Sequence, residues 1–366
     1  MEKTFIKYLV ILLLSNPIFS NDYLGSHFLK GHENKLRQLT MNSLTKITDN
    51  IYMINYLNDY YLDSLLRTGN KDISDIIKFA KLKLGDKYNF DIPKLSKGFA
   101  CSSFNVYNNN NQNLFGRNFD YSSAPTLIVW TKPKKGFSSI SFVHGQNIGL
   151  FDGKEIIKDR LLLAPYAPMD GLNRAGLAIS VLLLKNNSTH QKNPDLKDIT
   201  TSIMIRGVLD NCKNVKEAIT FIKKFNMHDI IEGKSFHFII TDSRGDSVII
   251  EYIKNEMKLI RPHMNNFSNY LYLTNFYIHK NNINLTAGLD RFNITKKHLN
   301  NENVKMEWNE AMNLLNNVAQ KGKTLWSNVY NTKKLNVITA FRANYSTLYE
   351  FNLFSPMKNI IRGNLN

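Results

Sequence analysis

The sequence predicts an α+β architecture, with layered sheets carrying helices on their outer faces. Three observations support this. Short runs rich in Val, Ile, Phe and Tyr dominate the chain from Cys101 onward. Helical stretches are grouped among those runs rather than alternating with them one for one. No internal repeat of roughly 20–50 residues is visible, which sets aside solenoids and propellers. With 366 residues and 43% hydrophobic content, the chain can bury one large core or two ordinary ones.

The first element is an export signal over residues 1–20. Lys3 and Lys7 make a basic start, Tyr8–Leu14 is an apolar centre, and Ile18-Phe19-Ser20 precedes a cleavage point. The run is too short to span a bilayer comfortably. An uncleaved anchor is the alternative. The expected location is outside the cell, in a periplasm or in a lysosome-like lumen.

Residues 21–97 form the next unit. Apolar residues from His32 to Leu66 (Leu36, Leu39, Leu44, Ile47, Ile51, Ile54, Leu57) recur at mixed three- and four-residue steps, as in helices. Ile73–Leu84 continues the helical pattern up to Gly85, and Asp91-Ile92-Pro93 with Gly98 marks a boundary. This predicts a small helical module ahead of the main domain.

Beyond it, Ser103–Tyr107 reads as a strand, Asn108–Asn113 as an Asn-rich turn, and Phe115–Tyr121 as a second strand. Further strands are expected at Ser139–His144, Ala178–Leu184, His237–Thr241, Ser247–Tyr252 and Met257–Arg261. Asp242–Asp246 is a turn between two of these. Thr200–Asn211, Val215–Phe225 and Glu307–Ala319 read as helices.

The net charge of +17 suits an anionic lipid surface or a polyanion, or is simply a solvated Lys-rich surface. It comes with no nucleic-acid motif, so a nucleic-acid partner is not expected. The histidines stand singly, with no HExxH pair, and no Gly-rich phosphate loop follows a strand; no metal or cofactor is expected. No Gly-x-Ser-x-Gly elbow supports a serine hydrolase.

Thiol chemistry remains. The hairpin around Cys101 can bring a thiol, the Arg117 guanidinium and the Asp120 carboxylate together, and nearby positive charge favours thiolate. No local sequence marks a histidine base. A second route makes Cys101 a chain terminus by cutting Ala100–Cys101, so that its own α-amine, with a pKa near ~7.7–8, serves as base. On residue chemistry alone, Cys101 is equally a buried strand residue. Cys212 reads as a buried, inert thiol, because a nucleophilic Cys101 must stay free of a disulfide.

Several motifs occur in one order. They are the Cys101 region, Arg117-Asn118-Phe119-Asp120, and Met169-Asp170-Gly171-Leu172-Asn173-Arg174-Ala175-Gly176-Leu177-Ala178-Ile179. The strand–turn–strand from His237 to Glu251, Leu273-Thr274-Asn275-Phe276, Asp290-Arg291-Phe292 and the run from Trp326 to Phe351 follow. Together they resemble the linear amide C–N hydrolases of the N-terminal-nucleophile superfamily. That group includes choloylglycine hydrolases, penicillin V acylases, acid ceramidase and N-acylethanolamine acid amidase. The likeness covers nearly all of 98–354, and the Cys101-to-Arg117 and Cys101-to-Asp120 spacings are those of the family.

The resemblance implies a four-layer αββα sandwich over residues 101–366, preceded by a pro-segment over 21–100 that stays bound as a small chain. It implies that Cys101 attacks an amide carbonyl and that Asp120 orients the α-amine. Arg117 would sit beside the sulfur, Asn275 would donate to the oxyanion, and Arg291 would order the site. One departure is Leu183, where bile salt hydrolases carry a second Asn. The expected substrate is a small N-acyl amide with an apolar acyl group. Two rivals are an acyltransferase using the same thioester and a secreted lipid- or polyanion-binding protein with a degenerate site. The oligomeric state is not legible. Asn186, Asn187, Asn266, Asn284, Asn293 and Asn344 sit in Asn-x-Ser/Thr triplets, of consequence only in a glycosylating host.

Overall fold

A computed structural model describes residues 21–91, 100–185, 188–265, 267–279, 287–301 and 303–362. The predicted signal segment, Gly98, Phe99, Asn186, Asn187, Asn266 and Asn284 lie outside them.

The strands, in chain order, begin with β1 (Thr45–Thr48), β2 (Ile51–Tyr56), β3 (Ala100–Tyr107), β4 (Asn113–Asp120), β5 (Thr126–Thr131) and β6 (Ser139–His144). β7 (Phe151–Asp152), β8 (Glu155–Ile156), β9 (Pro168–Asn173), β10 (Ala178–Lys185), β11 (Lys197–Thr200) and β12 (Phe225–His228) follow. Next come β13 (Lys234–Thr241), β14 (Ser247–Ile253), β15 (Glu256–Ile260) and β16 (Tyr272–Leu273). The last four are β17 (Thr324–Asn331), β18 (Asn336–Phe341), β19 (Asn344–Asn352) and β20 (Ser355–Arg362).

Two large sheets result. One is nine-stranded, in the order β1-β2-β5-β6-β9-β10-β13-β14-β15, and the other is seven-stranded, in the order β16-β3-β4-β17-β18-β19-β20. They meet through β3 and β10, where the Ser103 and Ser180 hydroxyls lie 3.1 Å apart. The helix Thr201–Asn211 packs on β9 and β10, while Leu289–Leu299 and Trp308–Asn317 pack on β3, β16, β4 and β17. This is the expected αββα layering. Strands β3 to β6, β13 and β14 are almost entirely buried, as central strands of a two-sheet sandwich must be. Asn214 and Glu307 cap the helices that follow them.

Two predicted boundaries need correction. The helical reading of Leu44–Leu57 gives way to the hairpin β1–β2, closed by Asn50 at φ 61. β-branched and aromatic residues crowd Thr45–Tyr56, and β2 gains a parallel partner in β5 (Ile51 opposite Thr126, Tyr56 opposite Thr131). That pairing outweighs a spacing compatible with a helix. The segment ahead of Cys101 is therefore mixed, with helices at Asn21–Asn42, Leu62–Thr68 and Ile73–Leu84. The second correction is at Val215–Phe225. The helix stops at Ile222, and Phe225 opens β12, which pairs in parallel with β11.

Candidate active site

The hairpin β3–β4 sets the site. Cys101 lies opposite Phe119, and Ser103 opposite Arg117, so these four residues share one face. The tip is held by Asn108, whose Oδ1 accepts the amides of Asn110 at 3.0 Å and Gln112 at 2.8 Å. Cys101 is buried, and Arg117 and the Asp120 backbone N–H both hydrogen-bond its thiol. Burial nevertheless raises the thiol pKa; Arg117 works against that without overcoming it. Arg117 thus favours the thiolate, in the direction expected from sequence, but burial outweighs it and the sulfur needs a base.

Arg117 is fully buried and pinned on several sides. Its Nη2 donates to the Val181 carbonyl at 2.6 Å, its Nη1 to the Asn118 carbonyl at 3.2 Å, and its Nε lies 3.5 Å from Asp170. Asp170, on β9, accepts from three side chains of β17: Trp326 Nε1 and Asn328 Nδ2, each at 2.9 Å, and Tyr330 OH. Those three alternate along β17 and so share a face. Asp170 thus ties the two sheets together beneath the guanidinium. Sequence reasoning quoted its motif without assigning it; a single acid in a buried strand was the available signal.

The Asp120 carboxylate belongs to the other side of the hairpin. It accepts from Thr324 Oγ1 at 2.6 Å and Gln320 Nε2 at 2.9 Å, and lies 3.8 Å from Arg291 Nη1. Burial pushes its pKa up to about 6, against the pull of Thr324 and the two arginines. The odd separation between Arg117 and Asp120 puts their side chains on opposite faces of β4, so the Asp120 backbone N–H bonds the sulfur while its carboxylate acts on the thiol through its charge, raising its pKa.

Asn275 and Arg291 arrive from distant segments. Asn275 Oδ1 accepts the Cys101 backbone N–H at 2.7 Å and Arg291 Nη2 at 2.9 Å. Its Nδ2 donates to the Leu183 carbonyl at 2.8 Å. Arg291 Nη1 also bonds the Cys101 carbonyl, and Ser102 Oγ at 2.8 Å. Gly288, at φ +80, lets this side chain through, because a Cβ there would collide with the guanidinium. Arg117, Asn275 and Arg291 therefore converge on Cys101 directly, and the Asp120 carboxylate joins them through Arg291.

The carbonyls of Val181 and Leu183 are free to receive Arg117 and Asn275 because β9 leaves β10 after the Ser180–Asp170 pair. An apolar cleft opens at that divergence. Its lining includes Met169, Val181 and Phe236, together with Ile73, Ile76 and Ile77 from the leading segment. Leu183 is buried opposite Phe236 in the β10–β13 pairing and does not line this cleft. Cys212 is buried and unpaired, with its thiol pushed up to about 12. Among the described residues, no group of three or more His, Cys, Asp or Glu side chains is placed to hold a metal.

Residues 101–317 match the family model described as linear amide C–N hydrolases, choloylglycine hydrolase family; the match begins at Cys101. A penicillin V acylase of Pectobacterium atrosepticum is 26% identical over 214 residues, 52% of this chain and 53% of the acylase. The chain thus spans about half the length of that relative. Two variants of the conjugated bile acid hydrolase of Clostridium perfringens superpose with a TM-score of 0.52 at 16% identity, over 72% of this chain and 97% of theirs. At that identity, the likeness is one of fold.

Proposed function

Since this chain belongs to the choloylglycine hydrolase family of linear amide C–N hydrolases, we propose that it is an exported, self-processed cysteine amidase acting on N-acyl amides. The observation that carries this reading is the Cys101 nitrogen held by Asn275 Oδ1 at 2.7 Å, beside a sulfur that is not a thiolate on its own. Cutting Ala100–Cys101 turns that nitrogen into an amine already oriented by a carboxamide and placed on the residue that needs a base.

In the processing step, the Cys101 sulfur attacks the Ala100 carbonyl carbon and the C–N bond breaks. The acyl group moves to sulfur, and the thiol proton passes to the nitrogen, which becomes the free α-amine. Water then cleaves the thioester. Arg291, on the Cys101 carbonyl and Ser102, holds the peptide still during this. In turnover, the thiol proton passes to the α-amine as sulfur attacks the substrate carbonyl, and the same proton leaves on the departing amine. Water, deprotonated by the Cys101 α-amine, attacks the thioester and releases the acid, and that proton returns to the sulfur. The Asn275 Nδ2 hydrogen not spent on Leu183 is available to the oxyanion; losing one such donor costs about 2.7–4 kcal/mol in a comparable site.

The Met169–Val181 cleft supports an apolar acyl group, since Val181 carries Arg117 on its carbonyl. The leading segment supplies part of that cleft and pairs β2 with β5, which supports its staying bound after cleavage. The same thioester passed to an amine would make an acyltransferase. The test is a quench of the enzyme with an N-acyl amide followed by intact mass measurement. An acyl adduct on the Cys101 fragment, absent in Cys101→Ala, is expected. Turnover by Cys101→Ala would refute the reading. Product analysis with added amine separates hydrolysis from transfer.

A further inference from the structure

Two buried side chains outside this chemistry grip the loop that carries Asn275. His237 on β13 and Glu251 on β14 are both 0% exposed. His237 Nε2 lies 2.7 Å from the Thr274 carbonyl oxygen, and its Nδ1 lies 3.1 Å from Glu251 Oε1. Glu251 also accepts two backbone amides, Ile278 on Oε1 at 2.8 Å and His279 on Oε2 at 3.0 Å. A carbonyl only accepts, so the ring proton on Nε2 is committed to Thr274. The two residues therefore hold the chain immediately before Asn275 and again just after it.

The need for such a grip follows from topology. β16 pairs with β3 only at Tyr272 and Leu273, and the ladder ends there. From Thr274 to His279, buried backbone groups require other partners. The Thr274 side chain is itself used, its Oγ1 donating to the Gly288 carbonyl at 3.0 Å. Two apolar side chains of equal volume would fill the space without fixing the direction of the Thr274 carbonyl or of the amides beyond it.

We propose that His237 and Glu251 are a positioning pair for the amidase reaction, fixing the Thr274–His279 segment so that the Asn275 carboxamide stays on the Cys101 nitrogen. This rests on the cysteine-amidase reading. The pair touches neither sulfur nor substrate and acts through Asn275. Its loss therefore appears in kcat, while KM, set in the cleft lined by Val181 and Met169, is little changed.

The experiment compares the full-length wild type with His237→Leu, His237→Gln and Glu251→Gln, using an N-lauroyl amide as probe and Cys101→Ala as control. The extent of cleavage before Cys101 and the thermal midpoint are recorded for each. His237→Leu should lose kcat by about 100-fold, the scale of a 1 Å misplacement, with KM within about threefold. His237→Gln restores a donor to the Thr274 carbonyl and should recover about tenfold of that loss. If His237→Leu does not fold, Glu251→Gln decides, with kcat at least about tenfold down at unchanged KM expected. Wild-type kcat in a folded His237→Leu or Glu251→Gln overturns the proposal. So does an equal loss in His237→Leu and His237→Gln that tracks a lowered thermal midpoint. Activity surviving in Cys101→Ala overturns the underlying reading instead, whatever the His237 variants do.

Discussion

The backbone nitrogen of Cys101 and the Oδ1 atom of Asn275 are 174 residues apart in the chain and 2.7 Å apart in the fold. An acceptor aimed at a peptide N–H serves equally well on an amine. The same contact therefore suits the chain before and after a cut at this bond.

Cleavage between Ala100 and Cys101 is expected in the purified protein. N-terminal sequencing of the large fragment should read Cys-Ser-Ser-Phe, and Cys101→Ala should remain one chain by intact mass. An uncut protein that hydrolyses amides would refute the α-amine mechanism.

Cys101→Ser should lose most turnover, whereas Cys212→Ser should keep it. Burial, reinforced by Glu217, outweighs the pull of Lys224 on the Cys212 thiol and holds it at about 12. Peptide mass mapping of active protein should find both cysteines reduced. A Cys101–Cys212 disulfide in active material would count against the assignment.

Asp170→Asn should damage both stability and rate. It removes the carboxylate facing Arg117 and replaces one of its two acceptor oxygens with an NH2 donor facing the donors Trp326, Asn328 and Tyr330. Breaking one side of a buried pair costs about 3–5 kcal/mol. Denaturant titration should show that loss, and kcat should fall in whatever fraction remains folded.

Asp120→Asn should inactivate the enzyme yet spare or raise its stability at neutral pH. Asp120 titrates near 6 when folded, above its ordinary value of 3.8. Its contribution to stability is therefore complete below the lower value and is lost as pH rises through about 6. At about 1.4 kcal/mol per pKa unit, the variant should gain up to ~3 kcal/mol over wild type near pH 7.5 and nothing near pH 3.5. Melting curves at both pH values test the sign. In wild type, kcat/KM should rise with pH through about 6 as Asp120 ionises.

Acyl length should matter. Each methylene buried contributes about 0.8 kcal/mol, so kcat/KM should climb several-fold per pair of carbons until the cleft fills. Ile77→Trp, at the wall supplied by the leading segment, should move that plateau to shorter chains. A flat series from butanoyl to hexadecanoyl amides, or faster cleavage of glycocholate than of any fatty amide, would remove the apolar acyl group from the reading.

Much of the fold was legible because its signals are local. Ser139–His144, Ser247–Tyr252 and Ala178–Leu184 are short runs rich in Val, Ile, Leu, Phe and Tyr, and all three are strands. The Cys101–Asp120 hairpin was legible for the same reason, its turn residues lying between its two strands. Asn275 and Arg291 became visible only through family resemblance, since nothing near them in sequence points to Cys101. Asp170, His237 and Glu251 escaped because a polar residue in an apolar strand acquires meaning only from partners on another sheet or loop. The Leu44–Leu57 misreading has a related cause. Three- and four-residue steps describe a helix well, but β5, which recruits Ile51–Tyr56 as a strand, lies far along the chain.

That recruitment makes the molecule a one-way assembly. β5 is flanked by β2 on one side and β6 on the other, so a polypeptide starting at Cys101 would present the whole of β5 as an open edge. Tyr56 and Tyr60, which anchor to the Leu162 carbonyl and to Asp210, would leave with the missing piece. A gene trimmed to its catalytic residues should therefore yield an aggregating product. The two pieces made separately should mix back into active protein poorly, because each would expose an unpaired strand of the nine-stranded sheet.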